Sequence, residues 1–348
     1  MMGSVASTAA ARVGGVWATD LLEVTDDVSR LDASGRWAVA IPYTGRPVCA
    51  RFATWGQTPP PAGPWQGPDP SEWASSMNEA EYRTAVSATR EAIAAGSVYQ
   101  ANICRVLSAR LPAPHEADVM GLHLLLEAGN PAPYGGFLRL PEQSVHIACA
   151  SPELFLSVRS AAGLREVRSG PIKGTGRTAE DLSEKDAAEN VMIVDLVRND
   201  LSQVCSPGSV YVPALLQVEE HPGLVHLVSY VTGRLLPGVG WPQMLAAAFP
   251  PGSVTGAPKH AALKVIDHWE PVPREFYCGA FGWVDADTGE AELAVTIRTF
   301  WRDGDTMKFG TGAGITWGSD PRAEWRETEL KARRLISLAG GAWQAGDS

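Results

Sequence analysis

The sequence has few cysteines, and their spacing excludes two common cysteine functions. Five cysteines lie far apart in 348 residues, odd in number and without any CxxC pair. Neither a disulfide framework nor a cysteine-based zinc site is therefore indicated. We expect a protein of the reducing cytoplasm.

Long apolar runs and an excess of positive charge are also missing. No apolar run approaches the roughly 18 residues of a membrane helix, and the N-terminal stretch MMGSVASTAAARVGGVW lacks the continuous apolar segment of a signal peptide. We therefore predict no membrane span and no signal peptide. The formal net charge of −10 argues against a nucleic-acid partner, so an anionic ligand must be bound by local cations or a metal.

What remains is the composition of an ordinary globular protein, with 45% hydrophobic and 20% charged residues. Residues 57–70, QTPPPAGPWQGPDP, contain too much proline and glycine for regular structure and predict a linker or a wrapping loop. This segment separates a short N-terminal part from the rest of the chain.

Apolar periodicity predicts both helices and antiparallel strands. Helices are indicated within residues 77–96 and 180–201, and another follows Asp320, a plausible N-cap with Pro321 at the first helical position. The stretches FYCGAFGWVD, AELAVTIRTFW and TMKFG alternate around DTGE and RDGD turns and predict an antiparallel meander. The mixture predicts an α+β fold rather than a doubly wound sheet.

Two predicted helices each carry an acidic pair at positions i and i+3. Asp186 and Glu189 lie on one helix, and Glu324 and Glu327 lie on the last, so each pair projects from one helical face. Taken alone, such pairs are usually solvated surface charges, and the helix dipole also favours Glu324 in a first turn. Facing each other, the two pairs would bind a hard cation, for which magnesium is the natural candidate.

Glycine-rich stretches confine a lysine and follow a predicted strand. SGPIKGTGR, residues 169–177, contains Lys173, and GTGAGI, residues 310–315, is similar to a carboxylate or phosphate cradle. Neither has the spacing of a P-loop or of the G-x-G-x-x-G dinucleotide motif. Lys173 belongs either to a phosphate-type loop or to a site where an amine has a chemical task.

Two polar residues interrupt apolar runs. His226 lies in GLVHLVSYV, where a hydrogen-bonded core histidine is more common than a catalyst. Arg298 lies in LAVTIRTFW, and a charge inside a strand must pair with an internal acid or a ligand anion.

FPPGSVTGAPK, residues 249–259, predicts a tight loop before a helix, which is mostly a structural signature.

Together these stretches resemble the chorismate-utilising enzymes, the family of anthranilate synthase component I, aminodeoxychorismate synthase component I and the isochorismate synthases. The matching motifs are, in order, YQAN, SPELF, GPIKGT, AENVMIVDLVRNDL, SPGSVYV, VHLVSYV, FPPGSVTGAPK, TIRT, GAGI and SDPRAEWRET. The resemblance implies large antiparallel sheets packed together and flanked by helices. It also implies a catalytic domain over residues 77–338, after a shortened N-terminal segment, 1–76, and before a C-terminal tail, 339–348.

Lys173 indicates which branch of the family the sequence resembles most. Anthranilate synthases look like PIAGT where this chain has PIKGT, whereas aminodeoxychorismate synthases carry the lysine. The resemblance therefore implies conversion of chorismate and ammonia to 4-amino-4-deoxychorismate, a precursor of para-aminobenzoate and folate, through a covalent lysine adduct. The alternatives are an anthranilate synthase component I or related chorismate-aminating enzyme, and a non-catalytic chorismate-binding paralogue that docks a glutaminase.

The resemblance also implies individual roles. Lys173 would be the nucleophile, Glu153 would protonate the departing hydroxyl, and His226 would belong to the same catalytic set. The implied magnesium ligands are Glu189, Glu327, Asp186 and Glu324. The implied substrate-binding residues are Gly174, Thr175, Thr255, Tyr277, Arg298, Gly312, Ala313, Gly314 and Lys331. Because no Cys-His-Glu arrangement surrounds any cysteine, a separate glutamine amidotransferase subunit would supply the ammonia.

Overall fold

Antiparallel strands dominate the structure, a computed structural model that describes residues 8–176, 178–221 and 224–344, without the side chains of Thr175, His221 and Leu224. In these residues eighteen strands join one sheet, two form a small second sheet, and every pairing between named strands is antiparallel. The first ten strands are β1 (Ala10–Val13), β2 (Val16–Thr25), β3 (Arg36–Ile41), β4 (Val48–Gly56), β5 (Trp65–Gln66), β6 (Ala74–Ser75), β7 (Gln100–Arg110), β8 (Tyr134–Leu140), β9 (Val145–Ser151) and β10 (Leu154–Ala161). The others are β11 (Leu164–Gly170), β12 (Ile172–Gly176), β13 (Tyr211–His221), β14 (Leu224–Arg234), β15 (Gly256–Ala257), β16 (Ala280–Asp285), β17 (Glu290–Val295), β18 (Thr299–Asp303), β19 (Thr306–Ile315) and β20 (Ala342–Trp343).

Six α-helices pack around these strands in the same residues. They are α1 (Glu79–Ala94), α2 (Val119–Gly129), α3 (Glu184–Ser202), α4 (Trp241–Ala248), α5 (Lys259–Trp269) and α6 (Pro321–Ala339). The predicted α+β fold with large antiparallel sheets and flanking helices is confirmed. Across the described ranges, no helix combines the length and apolar character needed to cross a bilayer.

A capping residue begins each of the three predicted helices, and of these residues only Asp320 was predicted as a cap. Asn78 accepts a hydrogen bond from the Glu81 backbone at the start of α1, and Ser183 begins α3. The Asp320 carboxylate accepts from the backbone N–H groups of residues 322 and 323, with Pro321 as the first residue of α6. These side chains satisfy N–H groups that have no partner within their own helix.

The N-terminal segment contributes strands to the main sheet. β1 pairs with β8, and β3 pairs with β16. Residues 57–70 wrap the surface, and the short β5 within them pairs with β20, while the buried Trp65 indole donates to the Ala339 carbonyl at 2.9 Å. The domain boundary at residue 76 stays a prediction, and residues 345–348 of the predicted tail lie outside the described part of the chain.

The predicted meander is present, with one strand divided. β16 and β17 form a hairpin, and so do β18 and β19. The stretch AELAVTIRTFW, predicted as one strand, is interrupted at residues 296–298 and supplies both β17 and β18. Because of this division, Arg298 lies between two strands rather than inside one.

Helix α3 packs on β14, and α1 and α6 pack on each other and on β19. The buried face of α3 contributes Val194, Val197 and Leu201 to the main hydrophobic core. Burying these side chains, at roughly 1.5–3 kcal/mol each, determines which face of α3 is left for its acidic residues.

Candidate active site

Lys173 lies in β12, and its ammonium group contacts a neighbouring loop. Its Nζ donates a hydrogen bond to the Ser253 carbonyl at 3.0 Å. The next residue, Gly174, has a φ of +81°, and a Cβ there would approach the Asp186 Cβ to 2.9 Å. Only glycine suits both the left-handed backbone and this close approach to α3, so the turn after Lys173 is specified by its glycine.

Glu153 is a buried acid close to Lys173. It precedes β10, and its backbone is anchored through N–H donation to the Ser151 hydroxyl at 3.2 Å and acceptance from the Val295 N–H at 3.0 Å. Burial raises the pKa of Glu153 to about 7, while the Ser253 hydroxyl and the positive charge of Lys173 oppose that rise. A carboxyl group with such a pKa holds its proton over much of the neutral range and can serve as an acid.

Ser253 joins these two groups, and the sequence analysis missed it. It lies in a 3-10 turn, residues 252–254, where its carbonyl accepts from Lys173 and its hydroxyl faces Glu153. The sequence predicts a mostly structural loop here, with Thr255 alone in the implied binding set. The Thr255 hydroxyl instead donates to the Pro251 carbonyl at 3.0 Å, within the loop itself. The sequence offered one signal for this residue, a polar serine within a tight loop rich in proline and glycine.

The glycine stretch GTGAGI is part of a strand and does not form the loop cradle that its composition suggests. Residues 310–315 complete β19 and pair with residues 101–106 of β7 in unbroken register. Extended pairing directs successive N–H groups to opposite sides, so they do not converge on one anion. The Ala313 side chain packs in a core cluster with Ile103. A binding role for Gly312, Ala313 and Gly314 stays a prediction.

Gly314 instead permits a close approach of polar side chains. A Cβ at this position would overlap the Gln100 amide and lie 3.5 Å from Lys173 Nζ. Gln100 is buried, and within the described residues its Oε1 has no hydrogen-bond partner. Gln100, from the YQAN motif, is therefore a second site residue that was not singled out from the sequence.

We expect Gly314→Ala to lower kcat/KM for the reaction proposed below by about 10²-fold, because the added methyl group would displace the Gln100 amide beside Lys173. Gly318→Ala is the matched control, since a Cβ at Gly318 meets no atom within 4 Å. Steady-state kinetics and melting temperatures of both variants provide the check. Equal activity of the two variants would show that Gly314 does not set the position of Lys173.

Arg298 occupies the break between β17 and β18, in place of the strand interior that was predicted. Its φ is +52°, and its carbonyl accepts from the Ala150 N–H at 3.1 Å. The left-handed backbone cannot continue a strand, which is why the predicted strand divides. Burial lowers the pKa of Arg298, and the nearby charge of Glu153 opposes this. With the described residues its guanidinium forms no hydrogen bond or ion pair, so its donors are available to an anion.

Tyr277 and His226 are both buried. The Tyr277 ring lies against Gly310 of β19, and burial raises the pKa of its hydroxyl well above the usual value. His226 lies in β14 opposite Thr175 of β12 and Glu219 of β13. The Thr175 side chain lies outside the described residues. The roles of these three implied site residues stay predictions.

The acidic pairs meet through a lysine. Lys185 Nζ lies 2.9 Å from Glu324 Oε1 and 3.7 Å from Glu189 Oε1, so α3 and α6 approach each other at their acidic ends. Burial raises the pKa of Glu189, and the charges of Lys173 and Lys185 oppose that rise. Among the described residues, no three His, Cys, Asp or Glu side chains already converge as a metal-binding group.

The carboxylates differ in how well they suit a metal ion. Burial disfavours ionisation of Glu327, but the positive charge of Lys331, 2.6 Å away, together with Lys185 and Lys173, lowers its pKa. Glu189, Glu324 and Glu327 supply the oxygen ligands that a hard cation prefers, but each lies beside Lys185 or Lys331, which a cation would have to displace. Asp186 fits less well, because its carboxylate accepts from the Ser183 N–H at 2.9 Å and hydroxyl at 2.6 Å.

Lys331 connects the acidic cluster to the glycine strand. In addition to its ion pair with Glu327, its Nζ donates to the Gly312 carbonyl at 3.0 Å. Lys173, Lys331 and Arg298 all act electrostatically on or near Glu153. An acidic protein thus gathers three cations around one buried acid, an arrangement that suits a small anionic substrate.

These features describe an α+β protein with a polar site built for a small anion. A family model described as chorismate binding enzyme matches residues 24–337, and the chain belongs to that family. The resemblance inferred from the motifs is confirmed. The match begins well before residue 77 and includes much of the N-terminal segment.

Individual relatives carry more than one name. The chain is 37% identical over 278 residues to aminodeoxychorismate synthase component 1 of Salmonella typhimurium, covering 76% of this chain and 59% of that protein. It is 39% identical over 307 residues to anthranilate synthase component 1 of Streptomyces coelicolor, covering 85% and 56%. The chain therefore spans somewhat more than half the length of these relatives.

Solved structures confirm the fold. Anthranilate synthase component I from Streptococcus pneumoniae superimposes with a TM-score of 0.75 at 22% identity, covering 94% of this chain and 89% of that one. MenF, the menaquinone-specific isochorismate synthase of Escherichia coli, superimposes with a TM-score of 0.77 at 18% identity, covering 97% and 90%.

Proposed function

We propose that the protein converts chorismate and ammonia to 4-amino-4-deoxychorismate and water. One observation carries this proposal. The Lys173 amine donates a hydrogen bond to the Ser253 carbonyl at 3.0 Å and lies close to the buried acid Glu153. The likeness to aminodeoxychorismate synthase component 1 supports the same conclusion.

Two covalent steps account for the substitution. Lys173, as the neutral amine, forms a bond to C2 of the ring while both ring double bonds shift and the C4–O bond breaks, and Glu153 gives its proton to the departing hydroxyl, which leaves as water. Ammonia then bonds to C4, both double bonds shift back, and the C2–N bond to Lys173 breaks. The Glu153 carboxylate takes up the surplus proton of the new C4 ammonium group, which restores the acid and the neutral lysine. Division into two displacements lowers the barrier of a reaction with a poor leaving group.

The cations around Glu153 provide the substrate contacts. Arg298, which lacks a partner among the described residues, would bind one carboxylate of the substrate. Lys331 would contact the substrate near the Gly312 carbonyl, to which its Nζ donates. Tyr277 would shape the pocket beneath β19, Thr255 would maintain the Ser253 loop, and His226 would support β12 from β14.

Magnesium would be held by Glu189, Glu324 and Glu327. A bound divalent cation there would neutralise the ring carboxylate of the substrate. Asp186, which caps α3, would contribute through water rather than directly. The three glutamates would bind the cation once Lys185 had moved away from Glu189 and Glu324.

We expect Glu327→Gln to raise the magnesium concentration for half-maximal activity by at least about tenfold, because an amide preserves the shape of a ligand but loses its charge. Glu329→Gln, an exposed position on the same helix, is the control and should leave the titration unchanged. Magnesium titrations of initial rate compare the variants. Unchanged turnover of Glu327→Gln at limiting magnesium would remove this residue from the metal site.

Ammonia would come from a separate glutamine amidotransferase. All five cysteines of this chain are buried, which suits none of them to attack glutamine. The term "component 1" in the names of both relatives supports a second component.

A second candidate is synthesis of anthranilate, favoured by the likeness to the Streptomyces coelicolor protein. The two reactions differ in whether the enolpyruvyl group stays on the product. The test is incubation of the protein with chorismate, magnesium and ammonium salt, followed by mass identification. A product that retains the enolpyruvyl group supports our proposal, anthranilate supports the second candidate, and unchanged chorismate would overturn both.

A further inference from the structure

A small cavity adjoins Glu153 away from the proposed nucleophile. Its volume is about 20 Å³, and it is lined mainly by β10, the C-terminal half of α3, the end of α4 and the loop after α4. Lys173, Arg298 and Gly314 are not among the described residues that line it. The cavity therefore adjoins Glu153 and Ser253 without being lined by the three residues named above.

The size and lining of this cavity suit a single water molecule. A buried water needs about 10–15 Å³ of such volume and two to four polar partners. The polar residues that line the cavity are Glu153, Ser169, Asp200 and Ser253. The remaining walls are largely aliphatic, from residues such as Leu201 and Val295, so the polar partners are confined to one small space.

Asp200, which lines the cavity, is held by an ion pair with Lys259. Its Oδ2 accepts from Lys259 Nζ at 2.7 Å, and the same ammonium donates to the Ala248 carbonyl at 3.2 Å. Both Asp200 and Ala248 line the cavity. The motifs that contain Asp200 and Lys259, RNDL and GAPK, have no role in the chemistry proposed above.

We propose that the cavity holds one ordered water that donates hydrogen bonds to both Glu153 and Asp200, which makes Asp200 a positioning residue for the acid. This inference rests on the proposed role of Glu153. A water that donates to one Glu153 oxygen leaves the acid proton on the other oxygen. The proton is thereby directed to the substrate and away from the cavity.

Charged groups from several other elements act on Glu153. Lys173 of β12 and Lys331 of α6 stabilise its carboxylate, and Arg298 lies near it from the break before β18. Asp200 of α3 is the acidic group on the cavity side. Because a negative neighbour favours the protonated acid, loss of the Asp200 charge should make Glu153 easier to ionise.

The test combines a crystal structure with kinetics. A high-resolution structure of the wild-type protein should show an ordered water within hydrogen-bond distance of both carboxyl groups. A dry cavity, or a water bonded to only one of the two, would overturn the proposal. This result does not depend on activity, so it stands even if the wild-type protein fails to aminate chorismate.

Two variants test the functional consequence. Asp200→Asn should lower kcat about tenfold, a small part of the roughly 10²–10⁴-fold of general-acid catalysis, leave KM unchanged and move the alkaline limb of the pH–rate profile to lower pH. Ala248→Val, which fills the cavity, should also lower kcat at constant KM. Asp195→Asn, an exposed position on the same helix paired with Arg198, should change neither.

The variants separate positioning from simple structural support. If Asp200→Asn fails to fold, Ala248→Val and the crystal structure decide the matter. A loss of activity in Asp200→Asn with an unmoved pH limb would show a structural role only and would contradict the proposal. Full activity of Ala248→Val with the water displaced would contradict it as well.

Discussion

Replacement of Glu153 by Gln should reduce kcat by about 10²- to 10⁴-fold, the usual contribution of a general acid. The amide has nearly the same shape but cannot transfer a proton to the departing hydroxyl. Because Glu153 is buried, the change also removes a group that is costly to ionise, so the variant should fold at least as well as the wild type. Steady-state rates and melting curves measured together test both parts.

Glu166→Gln on the exposed part of β11 is the control for this substitution. It should leave kcat and KM within error of the wild type. If Glu153→Gln retained wild-type kcat, another group would have to protonate the leaving hydroxyl. In that case the lysine–glutamate arrangement would belong to binding rather than to catalysis.

The pH dependence of the wild-type protein follows from the same residue. Burial raises the pKa of Glu153 from its usual value of 4.5 to about 7, so the acid is protonated below about pH 7 and ionised above it. Activity that needs the protonated form should therefore fall as pH rises through about 7. The limb should be absent from the residual activity of Glu153→Gln.

Lys173→Ala should abolish a covalent adduct with chorismate, and Lys173→Arg should have little or no activity. With ammonia omitted, the wild-type protein should gain substrate-derived mass on the peptide that contains residues 169–177, because the second displacement cannot occur. Arginine keeps the positive charge but stays protonated and cannot act as the amine nucleophile. Peptide mass spectrometry after trapping locates the adduct.

The mapped adduct, more than the rate, decides the role of Lys173. Free ammonia can attack C4 directly in a pocket without a lysine, so residual activity of Lys173→Ala is compatible with the covalent mechanism. Lys264→Ala on the exposed side of α5 should retain the adduct at full yield. An adduct on another residue, or near-wild-type activity of Lys173→Arg, would show that Lys173 acts only through its charge.

A non-catalytic paralogue would behave differently in each of these experiments. It would bind chorismate without consuming it, form no adduct and show no pH-dependent turnover. Such a protein has no physical need for a buried acid with a pKa near 7 beside a lysine. The combination of Lys173, Glu153 and Arg298 therefore favours the catalytic proposal.

Local patterns in the sequence predicted several features that the structure confirms. Asp320 and Pro321 mark the start of α6 because capping is a contact between residues only two or three positions apart. The period of the apolar residues predicted α1 and α3 for a similar reason. The acidic residues at i and i+3 also share their helix faces, since helical geometry alone determines that spacing.

Contacts between distant parts of the chain were not predictable in this way. Ser253 joins Lys173 and Glu153 from a loop about 80 positions from the lysine, and no periodicity marks it. The sequence did not predict Lys185 between Glu189 and Glu324. The metal role of Asp186 stays a prediction. The Ser253 contact depends on where its loop lies against β12, and the Lys185 contact depends on where the ends of α3 and α6 meet. The linear pattern contains neither arrangement.

The sequence by itself determined the start of α6, the antiparallel α+β class, the family and the position of Lys173 in a glycine-confined turn, because these depend on local spacing and on ordered motifs. Only the tertiary structure decided that GTGAGI is a strand paired with β7, that Arg298 interrupts a strand with a left-handed backbone, and that Glu153 is buried enough for its pKa to reach about 7. Strand pairing, backbone conformation at a break and desolvation are all imposed by segments far away in the chain. A buried acid acquires its chemistry from the neighbours that exclude water around it, and those neighbours are brought together only when the chain folds.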